Sequence, residues 1–161
     1  MTLIIHDMDD TEFNKTVFKD SKNSKILKLD NIKPCLGCFN CWLKSPGICS
    51  LNDNYKINGN LLSTCDRLIV ISKNYYGMFS PNIKNFFDRS ISYVKPYFRI
   101  IYGEMHHKKR YKNILNIEYY IYGDINSNEE STLKNLIKSN SENLFSNNRL
   151  TIIDKWEDYY V

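Results

Sequence analysis

Apolar residues fall in short blocks whose period changes along the chain, and those changes predict the elements. Thr2 to His6 is apolar and β-branched at its centre, which predicts a short buried strand. Asp9 to Phe18 predicts a short helix with Asp9 or Asp10 as its N-cap. Ser24 to Leu29 alternates polar and apolar residues, the pattern of a second, more exposed strand. Tyr55 to Thr64 places Ile57, Leu61 and Leu62 on one helical face. Asp66 to Ser72 carries the uninterrupted run Leu68-Ile69-Val70-Ile71, which suits a parallel strand covered on both faces. After a loop from Lys73 to Phe79, Ser80 and Pro81 supply an N-cap and a first helical residue, opening a helix predicted to reach about Tyr93. Pro96 ends it, and Tyr97 to Lys112 reads as an irregular excursion. A strand over Asn113–Tyr122, a helix over Asn128–Phe145 and a last strand over Leu150–Ile153 complete the pattern.

Alternating strands and helices predict a three-layer α/β domain around a parallel sheet. With 161 residues and no repeat, linker or break in composition, residues 1–161 are expected to form a single domain. The tail Asp154 to Val161 carries Trp156, Tyr159 and Tyr160, and is predicted to dock on the body or on a partner subunit. The net charge of +4 comes from scattered lysines, and the densest basic run, Lys108-Lys109-Arg110, lacks any nucleic-acid signature. No apolar stretch approaches the roughly 20 residues that span a bilayer, and the first residues lack the pattern of a signal peptide. The expectation is a cytoplasmic protein with no nucleic-acid or membrane partner. In a reducing compartment clustered cysteines serve as ligands, redox groups or buried thiols rather than disulfides.

Four of the five cysteines stand within Cys35-Leu36-Gly37-Cys38-Phe39-Asn40-Cys41-Trp42 and the following Cys49. Proline and glycine break this segment into a loop with one helical turn at most. Thiols two residues apart can converge on one point, so Cys35, Cys38, Cys41 and Cys49 form a candidate ligand set for a [4Fe-4S] cluster. Zinc fits less well, because its four-thiolate sites usually pair two separated hairpins. The other reading is four unmetallated cysteines with Trp42 in a packed turn. Glu104, His106 and His107 carry metal-ligating groups too. Adjacent histidines on a strand point to opposite faces and no further ligand is nearby in sequence, so they are expected to pack rather than to bind metal. Asp88 and Arg89 are expected to form a structural ion pair or a dimer contact. No arrangement of serine, histidine and carboxylate suggests hydrolysis.

The cysteine run, the Pro46-Gly47-Ile48-Cys49 that follows, and the block Tyr76-Gly77-Met78-Phe79-Ser80-Pro81-Asn82-Ile83-Lys84-Asn85-Phe86-Phe87-Asp88-Arg89 resemble the NADPH-dependent FMN reductase family. That family belongs to the flavodoxin-like superfamily, which also holds iron–sulfur flavoproteins, and Gly103 to Tyr111 resembles a feature of one bacterial subgroup. The resemblance covers about Ile32 to Tyr122. It implies a flavodoxin-like three-layer sandwich with a five-stranded parallel sheet of order 2-1-3-4-5 and FMN at the carboxyl ends of the strands. The isoalloxazine ring would lie against Ser72, Lys73, Asn74, Tyr75, Tyr76, Gly77 and Met78, with Tyr122 and Gly123 on its other side. NAD(P)H would be the co-substrate, a small molecule the electron acceptor, and a homodimer the assembly. No catalytic side chain is implied, because the flavin carries the chemistry.

One departure is plain. The family's first strand runs into a loop rich in small and polar residues that binds the FMN phosphate at a helix N-terminus. Here the same place reads His6-Asp7-Met8-Asp9-Asp10-Thr11-Glu12, whose carboxylates oppose a phosphate. Only Thr11 and His6 remain as donors. That loop favours a second reading: a flavodoxin-like electron carrier or non-catalytic binding protein.

Overall fold

The computed structural model describes residues 1–161. Five strands form one parallel sheet: β1 (Thr2–His6), β2 (Ser24–Lys28), β3 (Arg67–Lys73), β6 (Leu115–Tyr122) and β7 (Ser146–Ile153). Their spatial order is β2-β1-β3-β6-β7, which is the predicted 2-1-3-4-5 when the sheet strands alone are counted. β3 sits at the centre and is buried from Leu68 to Ser72, as its unbroken apolar run requires.

The period-2 alternation of side chains divides the sheet's two faces. Leu3, Ile5, Leu68, Val70, Ile117 and Tyr119 face one core, shared with Leu62 of α3 (Asn58–Ser63), Ile83 and Phe86 of α4 (Pro81–Asp88), and Leu133 and Ile137 of α5 (Ser127–Leu144). Ile4, Ile69 and Ile71 face the other side, where α1 (Asp10–Phe13), the turn after it and the tail cover them with Phe13, Phe18, Trp156 and Tyr159. The tail does dock on the body. Val17 N–H donates to the Tyr159 carbonyl at 2.8 Å, Val161 N–H to that of Lys15 at 2.9 Å, and the Tyr160 hydroxyl to Glu12 at 2.8 Å.

Four expectations need correction. The first helix spans only Asp10–Phe13, capped by Asp9 as predicted. Thr16 donates its hydroxyl back to the Phe13 carbonyl at 2.8 Å and then bridges to Tyr160, which turns the chain away from a helical path. α4 stops at Asp88, and Ile91–Tyr93 form a separate 3-10 turn. Ser90 marks the break, its hydroxyl donating to the Phe86 carbonyl at 2.7 Å. Ser80 has the extended backbone of an N-cap, but its side chain makes no capping bond. The last strand begins at Ser146 rather than Leu150, its first half hidden in the polar run Ser146-Asn147-Asn148-Arg149.

Tyr97 to Lys112 is also more regular than expected. Up to Lys109 it lies within an antiparallel hairpin of β4 (Val94–Ile101) and β5 (Glu104–Lys109), turned at Tyr102 and Gly103 with φ of 50° and 84°. The ladder is irregular between Val94 and Phe98, so Pro96 sits where its missing N–H breaks no regular pairing. The cysteine segment is a loop with one helical turn, α2 (Asn40–Leu43). Trp42 anchors it by donating its indole N–H to the carbonyls of Ile91 at 3.2 Å and Val94 at 3.0 Å. No helix is long and apolar enough to cross a membrane.

Candidate functional site

At the carboxyl ends of β3 and β6 lies a crevice lined by four of the residues expected to flank a flavin ring. Lys73, Asn74, Tyr75, Tyr76, Asp124 and Glu129 line an open crevice of about 290 Å³. Tyr76 is 85% exposed, and its ring meets that of Tyr75 edge-on at 6.5 Å. Asn74 ties the two loops together: its backbone N–H donates to the Tyr122 carbonyl at 2.7 Å, and its amide donates to Asp124 at 2.7 Å and Glu129 at 3.2 Å.

Several of the expected ring contacts have other partners. Gly77 is buried with φ of 78°, and a Cβ there would come within 2.6 Å of the Glu129 carbonyl. Its glycine is therefore required by close packing on α5 and by a left-handed backbone. Ser72 is buried and accepts the Ser80 N–H at 2.9 Å, linking β3 to the start of α4. Met78 closes a tight turn with Tyr75 through two 2.9 Å backbone bonds. The Lys73 side chain runs past Gly123.

The acidic loop is built in a way the sequence alone does not reveal. The Asp7 carboxylate accepts the Lys73 N–H at 3.0 and 3.2 Å and the Tyr122 hydroxyl at 2.9 Å. Burial, together with the neighbouring Asp7 charge, holds the Tyr122 phenol well above its usual value. Asp9 accepts the Thr11 N–H at 2.8 Å at the start of α1. His6 stacks flat on Phe13 at 3.8 Å, and burial pushes its imidazole below the usual histidine value, which favours the neutral form. Of the two donors that sequence left for a phosphate, one is a buried ring and the other is already bonded to a carboxylate. The protein's own carboxylates occupy the amides an anion would use, so these residues do not fit an FMN phosphate in the family's manner.

The larger cleft lies elsewhere. Cys35, Cys38, Cys41 and Cys49 all line a cavity of about 560 Å³, closed by Phe87 to Ile91, His107, Asn140, Asn143 and Leu144. Phe87 to Ile91 and Asn140, Asn143 and Leu144 come from or follow the carboxyl-terminal ends of α4 and α5, and His107 from β5, whereas the Tyr75–Tyr76 crevice adjoins the amino-terminal ends of the two helices. The two sites thus stand at opposite ends of α4, about 12 Å long at 1.5 Å per residue. Cys35 and Cys38 are exposed, Cys49 is half-buried and Cys41 is buried. Cys38 lies 3.1 Å from the Ser50 hydroxyl, a hydrogen bond that holds its thiol below the usual value. Burial, reinforced by the neighbouring cysteines, pushes the Cys41 thiol up.

Beside this cleft Arg89 forms a buried fork with Asp53, with contacts of 2.7 and 2.6 Å. Its expected partner, Asp88, instead pairs with Lys84 one helical turn back. Asp53 had no signal in the sequence, since it stands in a polar loop far from α4.

No protein-family model matches the sequence, and no curated protein matches it. Solved structures match in fold. An NADPH-quinone reductase from P. pentosaceus has a TM-score of 0.54 at 15% identity, over 95% of this chain and 84% of that one. An FMN-dependent NADH-azoreductase from Bacillus anthracis, solved with FMN, has a TM-score of 0.58 at 13% identity, over 94% and 85%. The Trp repressor binding protein from Bacillus subtilis has a TM-score of 0.51 at 11% identity, over 96% and 88%. At these identities the likeness is one of fold: the chain has the flavodoxin-like architecture, a five-stranded parallel sheet of order 2-1-3-4-5 with helices on its faces.

Proposed function

We propose that the protein is an NAD(P)H-dependent flavin oxidoreductase that passes electrons to a small acceptor. The flavin is engaged by its ring against Lys73–Tyr76 of the expected Ser72–Met78 loop on one side and Tyr122–Gly123 on the other. The observation that carries this reading is the open crevice walled by Tyr75 and Tyr76 at the carboxyl ends of β3 and β6, the end of the sheet at which open α/β folds bind ligands and one strand over from the β1/β3 switch point. A crevice with aromatic walls and no anion cradle suits a flavin that exchanges with solution, either FMN or its phosphate-free form riboflavin. The flavin and nicotinamide supply the redox chemistry. The chain positions them: Asp7 fixes the Lys73 backbone and Tyr122 relative to each other, and Asn74 holds the two flanking loops at a set distance.

Titration of the protein with riboflavin and with FMN, read by flavin fluorescence and followed by NADH and NADPH oxidation, tests this reading. The expected result is saturable binding with riboflavin at least as tight as FMN, and flavin-dependent nicotinamide oxidation. Tyr76→Ala weakens binding roughly tenfold, because aromatic stacking on a planar ring is worth about 1–3 kcal/mol. Absence of binding by either flavin overturns the proposal. Binding without nicotinamide oxidation favours the second reading, a flavodoxin-like carrier or binding protein, which the acidic loop after β1 supports.

The four cysteines are proposed to remain unmetallated, the buried Cys41 being biased toward the thiol form. Iron analysis of anaerobically purified protein checks this. A homodimer is proposed through the β4–β5 hairpin, whose Tyr97, Ile100, Tyr102 and Met105 are all exposed.

A further inference from the structure

Glu104 and His106 stand two residues apart on β5, so their side chains leave the same face of the hairpin. His107 leaves the opposite face and packs between Trp42 and Phe98, with ring centroids 4.8 Å from each. The third member comes from the last turns of α5. Donor atoms of Glu104, His106 and Glu142 all lie within 4.8 Å of one another. Sequence spacing pointed away from a metal here because it shows only the two strand residues.

The His106 side chain is only 8% exposed, and its two ring nitrogens differ. Nδ1 lies 3.0 Å from the Asn143 side-chain oxygen. With that carbonyl oxygen as acceptor, the neutral ring carries its proton on Nδ1 and leaves the Nε2 lone pair free to ligate. That Nε2 is buried and has no hydrogen-bond partner. It faces the Glu104 carboxylate at 3.5 Å and the Glu142 carboxylate at 3.8 Å, too far for good hydrogen bonds. Ligands held tetrahedrally at about 2.0–2.2 Å from a metal stand ~3.4 Å apart, close to this spacing. The neighbouring cation does not fill the role. Arg99, opposite His106 in the ladder, donates to the Glu142 backbone carbonyl at 3.1 Å and stacks on Phe145 at 3.9 Å. It forms an ion pair with neither carboxylate.

We propose that Glu104, His106 and Glu142 bind a divalent transition-metal ion, with Zn²⁺ the ion this donor set suits best. Three protein ligands leave one position of a tetrahedron to water, and the imidazole nitrogen disfavours Mg²⁺ and Ca²⁺, which take oxygen ligands. Asn143 is the outer partner that fixes the imidazole tautomer. The ion ties the hairpin to the end of α5, next to the wall of the cysteine cleft that Asn143 and His107 form. This site does not depend on the flavin reading.

Cobalt(II), a coloured stand-in for zinc, is titrated into the reduced full-length protein while visible absorption and thermal unfolding are read. The expected result is saturable visible bands without sulfur-to-cobalt charge transfer, a raised Tm, and displacement of the colour by Zn²⁺. Glu104→Gln and Glu142→Gln each weaken binding roughly tenfold or more, Asn143→Ala weakens it roughly tenfold, and Cys38→Ser leaves it unchanged. Because His106 is buried, the two glutamate variants, at more accessible positions, carry the test. No saturable binding, binding unchanged by both glutamate variants, or binding lost in Cys38→Ser overturns the proposal.

Discussion

A carboxylate acquires its meaning from the donors it meets. Asp7 and Asp9 stand where flavodoxin-like proteins of the resembled family place a phosphate, and each has taken a backbone N–H for itself. Their repulsion of a phosphate is legible in the sequence, but their partners are not. Lys73 and Tyr122 lie far along the chain, and only the fold brings them to Asp7. The same limit hid Asp53, the partner of a buried arginine. Arg89 has no exposed side-chain surface, so removing Asp53 strands a cation in the interior. Asp53→Ala is expected to cost about 3–4 kcal/mol of unfolding free energy at neutral pH, measured by urea denaturation, because breaking a buried pair leaves an uncompensated charge. The pH dependence follows from Arg89, whose hydrogen bonds hold the Asp53 carboxyl below the usual carboxylate range despite its partial burial. The pair's stabilisation is therefore complete above the unfolded value of about 3.9 and is lost as pH falls through the lower folded value. The acid limb of Tm against pH flattens in Asp53→Ala. An unchanged limb assigns acid sensitivity to other carboxylates.

Elements buried on both faces were legible, and elements with weak or two-sided patterns were not. β1 and β3 announce themselves through Leu3-Ile4-Ile5 and Leu68 to Ile71, because both faces of the central sheet are covered. The β4–β5 hairpin does not, since its apolar and polar side chains serve two different surroundings. Val94, His106 and His107 turn toward α5 or the cysteine loop, while Tyr97, Phe98, Ile100, Tyr102 and Met105 remain exposed. A hairpin that leaves this many large apolar side chains uncovered is poorly suited to water and well suited to a second copy of the chain. The proposed dimer predicts that Ile100→Lys/Tyr102→Lys sediments as a monomer where the unmodified chain sediments as a dimer, with circular dichroism unchanged. Equal sedimentation of the two proteins would count against an interface at this hairpin.

At the scale of the whole molecule the sheet is covered unequally. Three helices pack on one face, whereas the other has a four-residue helix and a tail with no regular α-helix. The aromatic composition of Trp156 to Tyr160 was the visible sign that this end is structural. The reason is now geometric: Tyr159 and Trp156 complete the core over Ile4, Ile69 and Ile71 that α1 is too short to close. The same packing reaches the crevice. Trp156 meets the Tyr122 ring edge-on at 5.6 Å, and the Tyr122 hydroxyl bonds Asp7, which in turn holds the Lys73 backbone. Trp156→Ala is expected to cost about 2 kcal/mol in urea unfolding, the scale of one large half-buried side chain, whereas the exposed Asp158→Ala stays within about 0.5 kcal/mol. If the tail also sets the position of Tyr122, Trp156→Ala weakens flavin binding under conditions where the protein remains folded. A loss of stability with flavin affinity unchanged would confine the tail to the core. A stability change no larger than that of Asp158→Ala would show that the second face is held by α1 and Phe18 without it.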